Sequence, residues 1–503
     1  MTGNVRITLR PLGAVFDVAQ GSPLQEVLFP YGVEFPCGGR ARCKGCRVKI
    51  LEGSLPVTPE QELRLSRAEL NAGWRLACQC RAEADLTLEL AQWEAAILSD
   101  EAPFSFTPRD GLGAAIDVGT TTLVAQLLDL RTANVLAVTT ALNRQAKNGA
   151  DVMSRVGFAV NERKGDLLTG AIREQTRSMI RDLIHRSGTD PASLTDVVLV
   201  GNTVMHHLFC GIDCTPLSRY PFEPIQDGLV SFRAKDLGWE TGGRIRFLPC
   251  LGGFVGSDIL AGVLAVNLHR SDTPLCLIDL GTNGEIVIGS RDGLLCCSTA
   301  AGPAFEGARI SMGMRAATGA IAEVDLEGGQ MVCRTLGDVR PRGICGSGLV
   351  DAAAALLDSA RLTPSGRLAG KEPSVMIADP VALTQTDIRE LQLAKGAIAA
   401  GIRILLRISG LGPDDIARVY LAGAFGNYVN AASARRIGLV SFPPEKIVPA
   451  GNTALRGAKR ALFDEPSAFD ALARSVRHIA LDRDPEFQDV YVEEMGFPAG
   501  IVP

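Results

Sequence analysis

Two segments of this chain follow one pattern: apolar strand, aspartate, glycine–threonine turn, second apolar strand. They are GAAIDVGTTTLVAQLLDL, beginning at Gly113, and PLCLIDLGTNGEIVIGS, beginning at Pro274. Their aspartates, Asp117 and Asp279, stand 162 residues apart. A second pair corresponds as well, DVVLVGNTVMHH around Gly201 and RVYLAGAFGNYV around Gly423. Self-similarity over such a distance means one kind of α/β lobe built twice, which excludes a fold with a single core. The length of 503 residues agrees, since two to four domains are expected of it.

Each hairpin turn has the chemistry of a phosphate loop. Glycines free backbone N–H groups to approach phosphate oxygens, and threonine hydroxyls and an asparagine amide add donors. A carboxylate at Asp117 or Asp279 is suited to hydrated Mg²⁺, which keeps several of its waters. The chain has no GxxxxGK[ST] loop to compete. The paired hairpins and LAGAFG resemble the superfamily of sugar and acetate kinases, heat-shock chaperones and actin. That resemblance implies a two-lobed actin-like ATPase, the RNase H-like unit duplicated, closing on ATP and Mg²⁺. It makes Asp117, Gly119, Thr120, Thr121 and Thr122 the first phosphate loop, and Asp279, Gly281, Thr282, Asn283 and Gly284 the second. Gly423, Ala424, Phe425, Gly426 and Asn427 fall at the adenosine end.

The first 95 residues read differently. VRITLR and AVFDVA are expected to pair as strands through the PLG turn, followed by a short helix capped by Ser22, then strands CRVKIL and ADLTLEL. Of 13 cysteines, five crowd this segment: Cys37, Cys43, Cys46, Cys78 and Cys80. Cys37-x5-Cys43-x2-Cys46 with Cys78 further on is close to the plant-type ligand spacing of a [2Fe–2S] cluster. Structural zinc favours two short Cys-x2-Cys pairs, which this spacing does not give. Cys80 is the alternative fourth ligand; GWRLACQ resembles the sequence around the last ligand of ferredoxin-like domains, which favours Cys78. Arg40, Arg42, Lys44, Arg47 and Lys49 crowd the same loop, as a solvated rim or as a docking face for an acidic electron partner.

Composition excludes other classes. A net charge of −5 gives no overall basic field for nucleic acid or an anionic membrane. No apolar run reaches about 18 residues, and MTGNVRITLR lacks a signal-peptide core. A cytoplasmic protein is expected. Residues 1–95 are assigned to the [2Fe–2S] ferredoxin-like domain (a β-grasp unit), 96–111 to a linker, 112–270 to ATPase lobe I and 271–503 to ATPase lobe II. Gly346, Ser347 and Gly348 begin an apolar helix, either as a phosphate contact or as a plain helix start. Glu306 is a candidate for orienting attacking water. His206 and His207 are expected in surface or capping roles, and Cys210, Cys214, Cys250, Cys276, Cys296, Cys297, Cys333 and Cys345 as packed thiols.

From PCGGRARCKGCRV through GNTVMHHLF, STAAGPAFEG, GICGSGLVD and LAGAFGNYV, nearly the whole chain resembles the reductive activators of corrinoid proteins. That family implies ATP-driven transfer of one electron to a Co(II) corrinoid protein, giving the Co(I) state that accepts methyl groups. It further implies an upstream low-potential donor, a ferredoxin or flavin reductase, and a homodimer as a candidate assembly. Plant-type clusters lie near about −400 mV. A one-electron gap of ~100 mV to a lower cobalt couple costs only ~2.3 kcal/mol, within reach of ATP hydrolysis. The alternatives are a donor to another low-potential enzyme, of the dehydratase-activator type, and a redox-sensing, nucleotide-binding interaction module.

Overall fold

The computed structural model describes residues 3–10, 14–28, 31, 33, 41, 46–65, 67–90, 106–120, 122–149, 151–281, 283–302, 304–307, 309–314, 316, 319–370, 372–426 and 428–499. Near the N-terminus, β1 (Asn4–Arg10) turns Val5, Ile7 and Leu9 inward on alternate residues, the period of a half-buried strand. It pairs antiparallel with β2 (Ala14–Ala19), as the sequence predicts; the PLG turn itself lies outside the described residues. Helix α1 (Leu24–Leu28) buries Leu24 and Leu28 in the same core. Ser22 does not cap it. Ser22 sits in a two-residue strand opposite Ala82, and its hydroxyl donates to the Ala19 carbonyl at 2.6 Å. With β3 (Arg47–Glu52), β4 (Trp74–Leu76) and β5 (Leu86–Leu90) the sheet order is β2-β1-β5-β3-β4, and β1 and β5 run parallel in a β-grasp.

The next sheet takes β6 (Leu112–Val118), β7 (Thr122–Asp129), β8 (Val135–Leu142), β9 (Leu194–Val200), β10 (Val230–Arg233) and β11 (Arg244–Phe247), in the order β8-β7-β6-β9-β11-β10. Helices α2 (Val152–Asn161), α3 (Gly165–Ser187), α4 (Thr203–Cys210) and α5 (Ser257–Ala265) belong to this lobe.

The second lobe repeats the plan. An antiparallel meander of β12 (Leu275–Leu280), β13 (Gly284–Ser290) and β14 (Gly293–Thr299) is followed by β15 (Ala320–Glu327), β16 (Gln330–Thr335) and helices α6 (Gly346–Asp358) and α7 (Gln385–Ser409). Then β17 (Arg418–Ala422) and β18 (Ile447–Gly451) join β12 in parallel, and β19 (Val476–His478) closes the far edge. The resulting order, β18-β17-β12-β13-β14-β19, matches β11-β9-β6-β7-β8 strand for strand apart from the edge strand of each. The duplication inferred from sequence is therefore a duplication of topology.

Helix α7 starts at a capping box between Thr384 and Asp387 and stops at Gly410, which is left-handed at φ 70°. Helix α8 (Thr453–Ala461) comes from the second half of the sequence, yet it packs on α5 and reaches β6 and β9 of the first lobe. One apolar cluster accordingly draws Ala115 and Val198 from the first sheet and Leu277 and Val287 from the second. Among the described residues no helix is long and apolar enough to cross a membrane.

Candidate functional site

Where β6, β9 and α5 meet, side chains give way to backbone. A Cβ on Gly119 would stand 2.4 Å from the Thr122 carbonyl oxygen, one on Gly201 2.7 Å from that of Val118, and one on Gly256 2.2 Å from that of Gly201. Glycine is the residue that lets these strand ends touch. Around the first turn, Asn143 donates to the Gly119 carbonyl at 2.9 Å and Asn202 donates to Thr120 Oγ1 at 2.9 Å. The fully buried Arg155 donates to the Thr120 carbonyl. Burial lowers that guanidinium to about 10, opposed by Asp151. A buried cation thus lies beneath the turn, beside a site suited to anions.

Four carboxylates from both lobes act on one another here. Asp117 is pushed up to about 6 by burial, against the hydrogen bond it accepts from Asn452. Asp279 rises to about 7 through burial and then Asp117. Asp258, in the first turn of α5, rises to about 8 through burial, then Asp279 and Asp117. Glu285 on β13 is held well above the ordinary range by burial, Asp258 and Asp279. Mutual repulsion of this kind is what a bound cation would relieve, so the donor set fits Mg²⁺. Among the described residues no three His, Cys, Asp or Glu side chains are grouped to hold an ion directly; Mg²⁺ bound at these carboxylates would be a hydrated ion. Sequence reading missed Asp258, Glu285, Asn452, Asn202 and Arg155. GSD after the glycine run and GE after the second turn were the available signals.

Other expected residues fall as follows. Thr121, Thr282 and Asn427 lie outside the described residues. Thr122 is the first residue of β7 and is exposed. In the second turn the Gly281 N–H donates to the Asn283 carbonyl at 3.0 Å, and the Asn283 side chain bonds to Glu285. Gly284 is buried at the start of the strand, where a Cβ would meet Ile398 of α7 at 2.9 Å. Gly423 (φ +82°) presses on Asp279, where a Cβ would stand 2.6 Å from Oδ1. Ala424 and Gly426 share its short helix, and Phe425 stacks on Phe305 with ring centroids 4.6 Å apart. Gly346 and Gly348 lie against the carbonyls of Phe305 and Ile321, and the Ser347 hydroxyl donates to the Ala322 carbonyl at 2.9 Å, contacts that hold this helix start in place. Glu306 is half-buried in the turn after β14. His206 and His207 are fully buried, contrary to the surface or capping expectation, because α4 packs them inward with His206 edge-on to Phe247 at 5.1 Å.

At the cluster end, Cys46 precedes β3 and its carbonyl accepts the Ala77 N–H at 2.9 Å, which brings the Cys78 turn beside it. Cys78 is half-exposed, as a ligand at a loop edge would be. Cys80 points into the core, with Sγ 3.3 Å from the Leu76 carbonyl and Gln61 above it. Two soft thiolate donors at one sheet edge fit an iron–sulfur centre. Cys37, Cys43 and the basic residues Arg40, Arg42 and Lys44 lie outside the described residues. Arg47 pairs with Glu69 at 2.9 Å and, like Lys49, lies over Trp74.

Fold and site together define a ferredoxin-type [2Fe–2S] domain joined to an ATPase of the actin and sugar-kinase class. Comparison with known proteins narrows this. Residues 7–83 match the 2Fe-2S iron-sulfur cluster binding domain, 112–271 the RACo middle region, and 273–502 the C-terminal (ASKHA) domain of RACo. The corrinoid activation enzyme RamQ of Eubacterium limosum is 34% identical over 418 residues, 76% of this chain and 69% of that one. A [Co(II) methylated amine-specific corrinoid protein] reductase of Methanosarcina barkeri is 27% identical over 76% of this chain and 77% of its own. A solved structure of a reductive activator for corrinoid, iron-sulfur protein superposes with a TM-score of 0.67 at 28% identity, covering 98% of both chains. The chain belongs to the family of reductive activators of corrinoid proteins.

Proposed function

We propose that this protein uses ATP hydrolysis to deliver one electron to the Co(II) corrinoid of a methyl-transfer partner protein, giving Co(I). The observation that carries the reading is the carboxylate set Asp117, Asp258, Asp279 and Glu285, contributed by both lobes, in a chain that also presents a thiolate edge. Bound at Cys37, Cys43, Cys46 and Cys78, a [2Fe–2S] cluster supplies the one-electron carrier. Asp117 and Asp279 orient the waters of Mg²⁺, and the turns at Gly119–Thr122 and Gly281–Gly284 hold the phosphates from opposite sides. The stacked Phe305–Phe425 pair and Gly423 border the adenosine end. Because the carboxylates come from both lobes, nucleotide favours the closed arrangement by its greater affinity for it.

Glu306 is the candidate for orienting attacking water. Glu306→Gln should lower turnover at unchanged nucleotide affinity; unchanged turnover removes Glu306 from that role. An upstream ferredoxin or flavin reductase reloads the chain, and two copies assemble as a homodimer. The testing experiment is anaerobic: reduced protein is mixed with a Co(II) corrinoid protein from the same organism, with and without MgATP, while its visible spectrum is followed. Co(I) appearing with ATP and absent without it supports the reading. No Co(I), with cluster and nucleotide both bound, overturns it in favour of a different acceptor. Asp279→Ala should abolish the ATP-dependent part while sparing the cluster.

A further inference from the structure

We propose that α8 carries the nucleotide state of the cleft to the linker that bears the [2Fe–2S] domain, with Asn452 and Arg109 as the positioning residues at its two ends. The proposal rests on the nucleotide site described above.

At the N-terminal end, Asn452 makes two bonds from one amide. Its Oδ1 accepts the Leu455 N–H at 2.8 Å and so caps α8, while its Nδ2 donates to Asp117 Oδ2 at 2.9 Å. The cap of the helix and the aspartate of the first phosphate turn are one hydrogen-bonded unit.

The body of α8 cannot slide freely on α5. A Cβ on Gly457 would stand 1.9 Å from the Ala261 carbonyl oxygen, so α8 meets the α5 backbone directly there, and one on Gly262 would stand 3.2 Å from the side-chain hydroxyl of Thr453. Arg460 donates to the Leu264 carbonyl at 2.7 Å and Arg456 to that of Ala265 at 3.3 Å, fastening α8 to the C-terminal carbonyls of α5. The first turn of α5 carries Asp258, so both helices begin at the carboxylate set.

At the other end, nine residues or about 13 Å along the axis, the chain meets the linker. The carbonyl of Leu462, the C-cap of α8, accepts from the Arg109 guanidinium, and Phe463 packs on Phe106 with centroids 4.7 Å apart. Arg109 also reaches Asp196 at 3.4 Å, a carboxylate already bound by the fully buried Arg246 at 2.6 Å, and its N–H donates to the Leu130 carbonyl at 3.0 Å. The end of the linker is therefore registered on the first sheet and on α8 at once. A shift of the Asp117 turn when phosphate and Mg²⁺ enter is passed by a short, tightly packed rod to the residues from which the cluster domain departs.

Hydrogen exchange on the full chain tests this without any corrinoid protein. In the wild type, a non-hydrolysable ATP analogue with Mg²⁺ should change amide exchange across 106–111 by about fivefold or more. In a Phe106→Ala/Arg109→Gln variant, cluster absorbance and partner-free ATP hydrolysis should stay within about twofold of wild type, the exchange response should vanish, and ATP-dependent Co(I) formation should fall about tenfold. Wild-type exchange at 106–111 that ignores nucleotide overturns the proposal, as does a variant that keeps full ATP-dependent reduction. A nucleotide response at 106–111 in a protein that reduces no corrinoid supports the coupling and counts against the acceptor alone.

Discussion

The side-chain amide of Asn452 donates to Asp117 Oδ2 at 2.9 Å across 335 residues of sequence. One residue from the second half of the chain thereby holds the key aspartate of the first half. It lowers Asp117 against the upward push of burial. Replacing Asn452 by Ala removes both this bond and the cap of α8, and cap loss costs about 1 kcal/mol. Replacing it by Ser keeps a capping oxygen on a side chain too short to reach Asp117. Both variants should lose MgATP affinity about tenfold by calorimetry, equivalent to about 1.4 kcal/mol, while a lower melting temperature should accompany the Ala variant alone.

Acid–base linkage at Asp258 has an unusual sign. Its folded pKa, about 8, lies above the ordinary 3.8. Between those values the folded chain holds a proton that the unfolded chain has released, so stability falls as pH rises from about 4 to about 8. Asp258→Asn should flatten that dependence in the nucleotide-free protein. At pH 8 it should raise the melting temperature by about 2–4 °C, corresponding to a contribution on the order of 1 kcal/mol, with little effect near pH 4. A variant that melts below wild type at pH 8 would contradict the assignment.

Cys78 and Cys80 separate by direction. Cys78→Ala should remove the [2Fe–2S] absorption and leave nucleotide binding intact. Cys80→Ala should keep the cluster and cost about 1–2 kcal/mol of packing, since the thiol it removes is buried against Leu76 and Gln61. The visible spectrum and iron content of each purified variant decide the matter.

Gly423→Ala combines two penalties. At φ +82° an alanine is strained by about 1–2 kcal/mol. Its Cβ would also stand 2.6 Å from both Asp279 Oδ1 and the Leu280 carbonyl oxygen. Nucleotide affinity should fall at least tenfold with the cluster unchanged, read by calorimetry and absorbance on one sample.

The two turns of the candidate site are legible in the sequence because their signals are local. Asp117 and Asp279 end strands at glycine turns, and a turn that needs close backbone approach leaves glycine as its mark. Ser22 misled because its hydroxyl has a nearer backbone partner in Ala19 than any helix N–H, so a capping residue type became a turn residue. His206 and His207 follow a capped helix start, but which way that helix faces depends on Phe247, more than thirty positions away in sequence.

By itself the sequence determined what periodicity and short-range chemistry encode: a cysteine-bearing domain, two copies of one lobe, two aspartate–glycine turns and the family to which the chain belongs. Tertiary structure alone decided what depends on distant segments meeting. It brought Asp258 to Asp279 and Asp117, and it carried α8 back across the chain to lie on α5, with Asn452 at one end and Arg109 at the other. The physical reason is that charge repulsion and hydrogen bonding act over ångströms in space, and no local pattern records which parts of a 503-residue chain will be that close.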